Sequence, residues 1–280
     1  MNLIEQKNRI VQLYQNDKHS IRAIASILNC STSGIKRILN KYNVPMRNKC
    51  ASLNLCPDEF TKEEFDIVVG TVLGDGHLTN PKKDGESQLS LGHSVKQREY
   101  ITYKYNVLSR WIGCKLYSLK HHINDKTYET LNFVTRRNEK FTELKNIFYY
   151  NKIKVFPYDF VNNHLNDLSL AIWMMDDGYN YGNRGFEFCT DNFTEDENEK
   201  IVELFKNKFD INSHVIRVAK KNYRVLVNKK DKTKLFNIVR KYIIPSMLYK
   251  IKSPETIRQT LKCNFNEDIV RATGKLVEIS

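Results

Sequence analysis

The stretch LAIWMMDDGYN, residues 170–180, places two adjacent acids between an apolar run and a glycine. Paired acids at the end of an apolar segment are usually a solvated helix end. A second stretch, VVGTVLGDGHL at residues 68–78, repeats the pattern, because its apolar run ends in Gly74, Asp75 and Gly76. Aligned on their Asp-Gly pairs, Asp75 and Asp177 are 102 residues apart, which is consistent with a repeated half-domain.

The segments that follow the two motifs also match in their order. After the first motif, hydrophobic periodicity predicts the strand SQLSLGHSV, the helix REYITYKYNVLSRWIG, the strands KLYSLKHHI and YETLNFVTR, and the helix NEKFTELKNIFYY. After the second, it predicts GFEFCT, EDENEKIVELFKNKF, SHVIRVAK, YRVLVNK and KTKLFNIVRKYI. The order αββαββα is therefore predicted twice, and the halves close with the similar segments NKIKVFP and YKIKSP.

Residues 1–48 predict a small all-α domain with a helix-turn-helix pattern. Apolar residues recur at helical spacing in residues 3–15 and after the N-cap residue Ser20, and a short turn precedes a third helix. In such motifs the first turn of the last helix meets base edges in the major groove. The residues placed to do so are Thr32, Ser33, Lys36 and Arg37. Eight Lys and Arg against two acids in this segment favour DNA, and a helical bundle that binds another protein is the alternative.

The composition favours an intracellular protein that binds a polyanion. The 280 residues carry 45 Lys and Arg against 32 Asp and Glu, a net charge of +13, which makes nucleic acid the first partner to consider. We expect no membrane partner, because no apolar run approaches the roughly 18 residues that a spanning helix needs. The 6 cysteines form no CxxC pair and are expected to be reduced thiols.

The two motifs, their spacing and the repeated element order resemble the signature helices of LAGLIDADG homing endonucleases, in the single-chain form that carries both copies. The resemblance covers roughly residues 60–260 and implies an α+β fold, in which two pseudo-symmetric αββαββα halves form a DNA-binding saddle of antiparallel sheets. The second motif departs at Ile172, where the family pattern prefers glycine. The amino-terminal domain resembles the helix-turn-helix domains of DNA invertases and resolvases.

The predicted domain organisation follows from these patterns. The predicted segments are a helix-turn-helix domain at 1–48, a linker at 49–60, a first half at 61–162, a second half at 163–263 and a tail at 264–280. Because two non-identical halves share one chain, a single copy can bind an asymmetric target. We therefore expect a monomer.

In that family the last acids of the two signature helices meet at the base of the saddle. Carboxylates at adjoining helix C-termini repel each other unless a cation lies between them, and Mg²⁺, or another divalent cation such as Mn²⁺, favours such oxygen ligands. We expect Asp75 and Asp177 to be the catalytic metal ligands. Asp176 and Gly74 are expected to contribute backbone carbonyls or to support the ligands.

The resemblance also implies a catalytic lysine in each half, at the similar closing segments. Such a lysine supplies positive charge near the phosphate and organises water. Lys154 and Lys250 are the best matches, and Lys152 and Lys252 are their rivals.

The predicted sheets would place alternate side chains in the major groove. Alternation along the predicted strands places one set of side chains outward, Gln88, Ser90, Ser94 and Arg217, and the other set inward, Leu89, Leu91, Ile216 and Val218. Further candidates for DNA contact are Asn132, Arg136, Glu187 and Arg224. We expect His93, His121, His122 and His214 to touch DNA or solvent rather than metal.

These observations predict a magnesium-dependent homing endonuclease that recognises a long asymmetric site in double-stranded DNA and makes a staggered double-strand break. The alternatives are a DNA-binding regulator, in which the acids are typically lost, and an RNA maturase that binds its host intron RNA. A composition rich in lysine and asparagine, together with the helix-turn-helix pattern, favours the cytoplasm of a bacterial or phage-infected cell over an organelle.

Overall fold

The computed structural model describes residues 3–17, 19–44, 56–80, 85–124, 126–181, 184–219 and 222–251. The chain forms two compact units, Met1–Pro57 and Asp58–Ser280. Most of the predicted linker, the predicted tail and Lys252 lie outside the described residues. No helix within the described ranges is long and apolar enough to cross a bilayer.

The amino-terminal unit is a bundle of three short helices, α1 (Lys7–Gln15), α2 (Ile21–Ile27) and α3 (Thr32–Lys41). The side chains of Ser20 and Ser31 cap α2 and α3 by accepting hydrogen bonds from backbone N–H groups. The buried core consists of Ile10, Tyr14, Ile24, Ala25, Leu28, Ile35, Ile38, Leu39 and Val44. The four residues predicted to contact DNA, Thr32, Ser33, Lys36 and Arg37, are all exposed on α3.

The larger unit contains the predicted αββαββα order twice. The first half consists of α4 (Lys62–Leu73), β1 (His77–Thr79), β2 (Gln88–Ser94), α5 (Arg98–Val107), β3 (Tyr117–Ile123), β4 (Lys126–Val134) and α6 (Glu139–Phe148). A short hairpin, β5 (Tyr149–Tyr150) and β6 (Ile153–Lys154), and helix α7 (Tyr158–His164) follow. The second half consists of α8 (Asp167–Asp177), β7 (Gly178–Asn180), β8 (Phe186–Phe188), α9 (Glu195–Phe209), β9 (Ser213–Ala219), β10 (Asn222–Val227) and α10 (Lys229–Val239). Two 3-10 turns, Arg240–Tyr242 and Pro245–Lys250, close it.

Each half folds its four strands into one antiparallel sheet. The strand orders are β1-β2-β4-β3 and β7-β8-β10-β9, so the two sheets have the same topology. In β2, buried and partly exposed residues alternate, with Leu89 and Leu91 buried, which agrees with the predicted faces of that strand. The face opposite these buried residues, and opposite Phe186 and Phe188 in the second sheet, is called the outer face below. The predicted boundary between the halves falls within α7 and stays a prediction.

The register of β9 reverses the predicted faces of that strand. Val215 pairs with the fully buried Val225, which places Val215 on the core side. Alternation then puts Ile216 on the outer face and Arg217 on the core side, whereas Val218 lies where the register shifts, between Arg217 and Ala219, and is 41% exposed. The prediction that Ile216 and Val218 point inward and Arg217 outward is therefore wrong. This strand is partly exposed on both faces, so its hydrophobic pattern alone fixes the register poorly.

Helices α4 and α8 pack against each other through Gly70 and Gly74. A Cβ atom added to Gly70 would lie 2.4 Å from the carbonyl oxygen of Ser169, and one added to Gly74 would lie 2.5 Å from Cβ of Asp176. Both distances are far below van der Waals contact, so glycine is needed at both positions. Ile172, where the second motif departs from the family pattern, lies against Gly70. A single glycine therefore makes room for the larger residue across the helix pair.

We expect Gly70→Ala to lower the free energy of unfolding by about 1–3 kcal/mol, because the new methyl group meets a backbone carbonyl that cannot rotate away. The matched control is Gly113→Ala, where an added Cβ would meet only the flexible side chain of Arg136, at 3.0 Å. Urea unfolding followed by tryptophan fluorescence measures both variants. Equal stability of the two would contradict the proposed tight contact.

Candidate active site

The packing of α4 against α8 brings the acidic ends of both helices together. Helix α4 is capped by Gly74 and followed by Asp75, and helix α8 ends at Asp176 and Asp177. The backbone N–H of Asp75 donates a hydrogen bond of 3.3 Å to Oδ2 of Asp176, which links the two ends directly. The carboxyl ends of the two motifs therefore form one site.

The carboxyl groups of Asp75 and Asp177 both hold protons more tightly than an ordinary aspartate. Burial, together with the charges of Asp75 and Asp176, raises the pKa of Asp177 to about 8. The side chain of Asp75 is 43% exposed, yet the protein packed around it and the charge of Asp176 raise its pKa to about 6. Both shifts therefore combine the burial of a carboxyl group with the nearness of other acids.

The two lysines predicted to be catalytic lie at the carboxyl ends of the signature helices. Nζ of Lys154 donates to the carbonyl oxygens of Gly74 at 2.8 Å and Leu73 at 3.2 Å. Nζ of Lys250 donates to those of Gly178 at 2.7 Å and Asp176 at 3.3 Å. Carbonyls in the last turn of a helix lack partners within the helix and favour a cation. Each ammonium group thus binds the end of one helix.

Strand β6 and the last 3-10 turn position these two lysines. Burial lowers the pKa of Lys154, and Asp177 is the carboxylate that opposes this lowering most strongly. Burial also lowers the pKa of Lys250, and there Asp176 and Asp75 oppose it most. Lys154, from the first half, therefore interacts most with an acid of the second half. The rival Lys152 is exposed, at the tip of the β5–β6 hairpin.

A buried polar cluster, formed by His93, Tyr100, Lys104 and Asp176, lies beneath Asp75 and is called the Lys104 cluster below. The side chains of Lys104 and Asp176 are both 0% exposed, and the ammonium nitrogen lies 2.8 Å and 2.9 Å from the two carboxylate oxygens. The hydroxyl of Tyr100 donates to the same carboxylate at 2.7 Å. Buried charges are tolerated only when they are paired and hydrogen-bonded. Lys104 and Asp176 meet both conditions, since each charge has its partner and the carboxylate also accepts a hydrogen bond from Tyr100.

His93 belongs to this cluster and lies neither in solvent nor on the outer face of the sheet. It lies on the core side of β2, with Nδ1 at 3.4 Å from Oδ2 of Asp75 and Nε2 at 3.4 Å from Nζ of Lys104. Burial and the charge of Lys104 lower the pKa of His93 to about 4. The expectation that His93 touches DNA or solvent is therefore wrong.

The three side chains of Asp75, His93 and Asp176 place potential metal-ligand atoms within 4.8 Å of one another. The ammonium group of Lys104 already contacts two of the three, Asp176 and His93. A lysine therefore supplies the positive charge at this trio.

The sequence carried a signal for the residues of the Lys104 cluster, although the prediction missed it. Lys104 follows the buried residues Tyr100 and Ile101 at helical spacing, so it lies on the apolar face of α5. His93 follows Leu89 and Leu91 on the buried face of β2. A charged residue on an otherwise apolar face indicates a buried partner.

The surroundings of Asp177 differ from those of Asp75. The indole Nε1 of Trp173 donates to Oδ2 of Asp177 at 3.3 Å. The ring of Trp173 packs against three phenylalanine rings, those of Phe156, Phe188 and Phe205, with centroids 5.1–6.4 Å away. Asp75 thus lies above polar and charged groups, and Asp177 lies beside an aromatic core.

The outer face of the first sheet carries several of the residues predicted to contact DNA. Its strand pairing places Gln88, Ser90 and Ser94 on that face together with Asn132, which pairs with Gly92. Arg136 follows β4 and donates from Nη1 to the carbonyl oxygen of Arg110 at 3.3 Å. His121, His122 and His214 are exposed and hydrogen-bonded to side chains nearby on the sheet. A contact of these residues with DNA stays a prediction.

Arg224 and Glu187 form an ion pair on the outer face of the second sheet. Glu187 is only 1% exposed, and its Oε1 accepts from Nη1 of Arg224 at 2.7 Å. Nε of Arg224 donates to Asp191 at 2.8 Å. Two carboxylates therefore hold the guanidinium group in one orientation. A buried Glu187 is suited to orienting Arg224 rather than to reading a base itself.

Comparison with known proteins identifies both parts of the chain. Residues 65–235 match the model of the LAGLIDADG DNA endonuclease family. Residues 3–42 match the model of the helix-turn-helix domain of resolvase. The predicted helix-turn-helix domain and the predicted endonuclease resemblance are confirmed.

The curated relatives include an mRNA maturase and an intron-encoded endonuclease. Cytochrome b mRNA maturase bI2 of Saccharomyces cerevisiae is 30% identical over 226 residues, which cover 76% of this chain and 53% of the maturase. Intron-encoded endonuclease ai4 of Dictyostelium discoideum is 31% identical over 134 residues, which cover 48% of this chain and 84% of that protein. The chain thus spans about half the length of the yeast maturase.

Among solved structures, the homing endonuclease I-WcaI bound to its DNA recognition sequence superposes with a TM-score of 0.66. The two chains share 22% sequence identity, and the match covers 76% of this chain and 97% of that one. The predicted α+β fold is therefore confirmed.

The expectation of a bacterial or phage-infected cell is wrong. The relatives include cytochrome b mRNA maturase bI2 of two yeasts and an intron-encoded endonuclease of Dictyostelium discoideum, all of them from eukaryotes, so the comparisons point away from a bacterial or phage-infected cell. The expectation relied on the helix-turn-helix pattern, together with a composition rich in lysine and asparagine. Organellar and phage genomes can share the base composition that produces it, so this signal does not separate them.

We expect Asp177 to make the metal-free protein less stable as the pH rises toward and through about 8. The folded state keeps the Asp177 proton far above the ordinary aspartate pKa of 3.8. Between these values the folded state binds more protons than the unfolded state, so the free energy of unfolding falls as the pH rises. Asp177→Asn lacks this contribution. Thermal unfolding with EDTA, between about pH 5 and about pH 9, should show wild type losing melting temperature relative to the variant.

Titrating groups that do not interact with Asp177, such as His93, contribute equally to both proteins and cancel in this comparison, whereas Lys154 and Asp75 interact with Asp177 and belong to the measured difference. Asp167→Asn, at the opposite end of α8, serves as the control and should keep the pH profile of the wild type. Parallel profiles for wild type and Asp177→Asn would show that the Asp177 carboxyl has an ordinary pKa.

Proposed function

Because this chain belongs to the LAGLIDADG DNA endonuclease family, we propose that it is a site-specific endonuclease that hydrolyses both strands of a long, asymmetric double-stranded DNA target and leaves a staggered break. The observation that carries the proposal is the meeting of two acidic helix ends, where Gly74 lies directly against Asp176. Two non-identical halves in one chain let a monomer bind an asymmetric site.

The oxygen donors at the helix ends fit a hard divalent cation. Asp75 and Asp177 offer carboxylates whose pKa values are raised by burial and, next, by the charges of neighbouring acids, and a bound cation would favour their charged forms. Gly74 and Asp176 offer backbone carbonyl oxygens in addition. We propose that these residues hold Mg²⁺, or Mn²⁺ in its place. A bound ion of this kind polarises a phosphate oxygen and lowers the pKa of water.

Lys154 and Lys250 would stabilise the negative charge that develops on the reacting phosphate. Their bonds to helix-end carbonyls hold the ammonium groups beside the acids before DNA binds. Because Lys154 interacts most with Asp177, residues of both halves contribute to one reaction site. Neither half alone would then contain a complete site.

The outer faces of the two sheets would contact DNA in the major groove. Their proposed contacts are Gln88, Ser90, Ser94, Asn132, Arg136 and Arg224. The geometry of Arg224 suits a guanine, because a fixed guanidinium can donate to base acceptors, with Glu187 as its support. Arg217 is left out of this set because it lies on the core side of β9.

A second candidate function is RNA maturation, which the names of the maturase relatives favour. A basic surface attracts RNA and DNA alike in electrostatic terms, so one chain can bind both. The double variant Asp75→Asn/Asp177→Asn lacks the carboxylates proposed for cleavage. Its binding to intron transcripts, in competition with duplex DNA of equal length, therefore tests RNA binding separately from cleavage. A regulator without cleavage is less favoured, because Asp75 and Asp177 are both present.

We expect the wild-type protein with Mg²⁺ to linearise members of a randomised circular duplex library, and chelation to abolish this. Asp75→Asn and Asp177→Asn should each lower the rate of linearisation by about a hundredfold or more, because each removes a carboxylate that would hold the metal ion beside the reacting phosphates. The products are separated by gel electrophoresis and sequenced.

Asp167→Asn is the matched control, since it removes an acid from the same helix far from the site, and it should cleave like wild type. Equal cleavage by wild type and by the Asp75 and Asp177 variants would contradict the assigned roles. The absence of any cleaved sequence would contradict the proposed endonuclease.

We propose that the helix-turn-helix domain contacts DNA flanking the cleaved site. Removal of residues 1–48 should shorten the footprint on the selected target and weaken binding, because it removes phosphate contacts by Lys and Arg. The rate of cleavage at saturating protein should persist. Lys36→Ala/Arg37→Ala should weaken binding more than the control Lys41→Ala at the other end of α3. An unchanged footprint after the deletion would refute the domain's role.

A further inference from the structure

The Lys104 cluster contacts Asp75 in two places. Oδ2 of Asp176 accepts the backbone N–H of Asp75 at 3.3 Å, and Nδ1 of His93 lies 3.4 Å from the Asp75 carboxylate. Behind these contacts, the ammonium group of Lys104 faces both Asp176 and His93. Lys104 is therefore connected to Asp75 through two intermediate side chains, those of Asp176 and His93.

The chemistry of Lys104 dictates the tautomer of His93. An ammonium group only donates hydrogen bonds, so Nε2 of His93 must accept from it. A neutral imidazole that accepts at Nε2 carries its proton at Nδ1. That proton is on the ring nitrogen that lies 3.4 Å from Oδ2 of Asp75. With Lys104 at Nε2, His93 thus presents its N–H side to the Asp75 carboxylate, and the side chain of Asp75 is 43% exposed to solvent.

The second half has no equivalent of this arrangement at the corresponding positions. The cross-strand pairs His77–Ser90 and Tyr179–Glu187 occupy matching places in the two sheets, so the place of His93 corresponds to Thr190. The hydroxyl of Thr190 bonds to the side chain of Asn198 and not to Asp177. Asp177 receives the indole N–H of Trp173 instead. The two acids are therefore oriented by different groups.

We propose that Lys104 is a positioning residue that fixes the Asp75 carboxylate through His93 and Asp176, so that the Lys104 cluster controls the cleavage of one DNA strand and not of the other. This inference rests on the proposed endonuclease function. A carboxylate that is already oriented needs no rearrangement when the reaction begins, and the loss of that orientation slows only the reaction that depends on it. Trp173 has the corresponding role for Asp177.

The test is strand-resolved cleavage by Lys104→Met, which keeps the length of the side chain and removes the ammonium group. The substrate is an intact duplex that carries a sequence found to be cleaved in the library, with a different fluorophore on each strand. The reactions are single-turnover and contain Mg²⁺. We expect the variant to slow one nick by about 10- to 100-fold and to leave the other within about twofold of wild type. Trp173→Phe, which removes only the indole N–H, should slow the opposite nick.

A second readout does not depend on cleavage. Nitrogen-15 NMR of histidine-labelled protein reports which ring nitrogen of His93 carries the proton, and His93→Gln identifies its signal. Wild type should show the proton at Nδ1. Lys104→Met should lose that preference, because Nε2 no longer faces an obligatory donor.

Lys104→Met leaves the buried carboxylate of Asp176 unpaired, so it is compared with Lys104→Met/Asp176→Asn, which removes both charges. The double variant is expected to fold, as checked by thermal unfolding, and to keep the bias between the two nicks. Equal slowing of both strands by a folded variant would overturn the proposal, as would an unchanged His93 tautomer. If wild type cleaves no DNA, the endonuclease function fails, whereas the NMR result still decides whether Lys104 fixes His93.

Discussion

The close approach of α4 and α8 is the constraint on which the rest of this structure depends. Two helix backbones can lie this near only where glycine removes the side chain, and Gly70 and Gly74 do so against Ser169 and Asp176. The same approach forces Asp75 and its neighbours in the second half into a small volume. Burial of these acids and repulsion between them both follow from the packing, and together they raise the pKa values of Asp75 and Asp177.

Lysines relieve part of that repulsion from within the protein. Lys104 neutralises Asp176 below the site, and Lys154 and Lys250 bind the carbonyl groups at the ends of the two helices. The two kinds of lysine relieve the repulsion differently. In the buried pair, Lys104 and Asp176 must neutralise each other fully, whereas Lys154 and Lys250 at the helix ends stay partly accessible to a ligand. The charge that remains unbalanced lies at Asp75 and Asp177, where a divalent cation fits.

The sequence predicted the repeat, the fold and the place of both lysines, since each of these depends on a pattern that occurs twice in the chain. The faces of β9 could not be predicted, because a strand that is partly exposed on both sides lacks a clear alternation. Lys104 and His93 were recognisable as charged or polar residues on buried faces. Asp176 was not recognisable as their partner, because it is 72 residues from Lys104 in the chain and only the folded helices bring the two together.

The ion pair between Lys104 and Asp176 also limits how the two halves could have been assembled. A symmetric homodimer of first halves would bury two ammonium groups without their carboxylate, because Gly74 takes the place of Asp176 there. A homodimer of second halves would bury two carboxylates without an ammonium group. Burying an unpaired charge is costly in either case, and an isologous interface would impose that cost twice. The halves have therefore become obligate complements, and separating or exchanging them would require redesign of this buried pair.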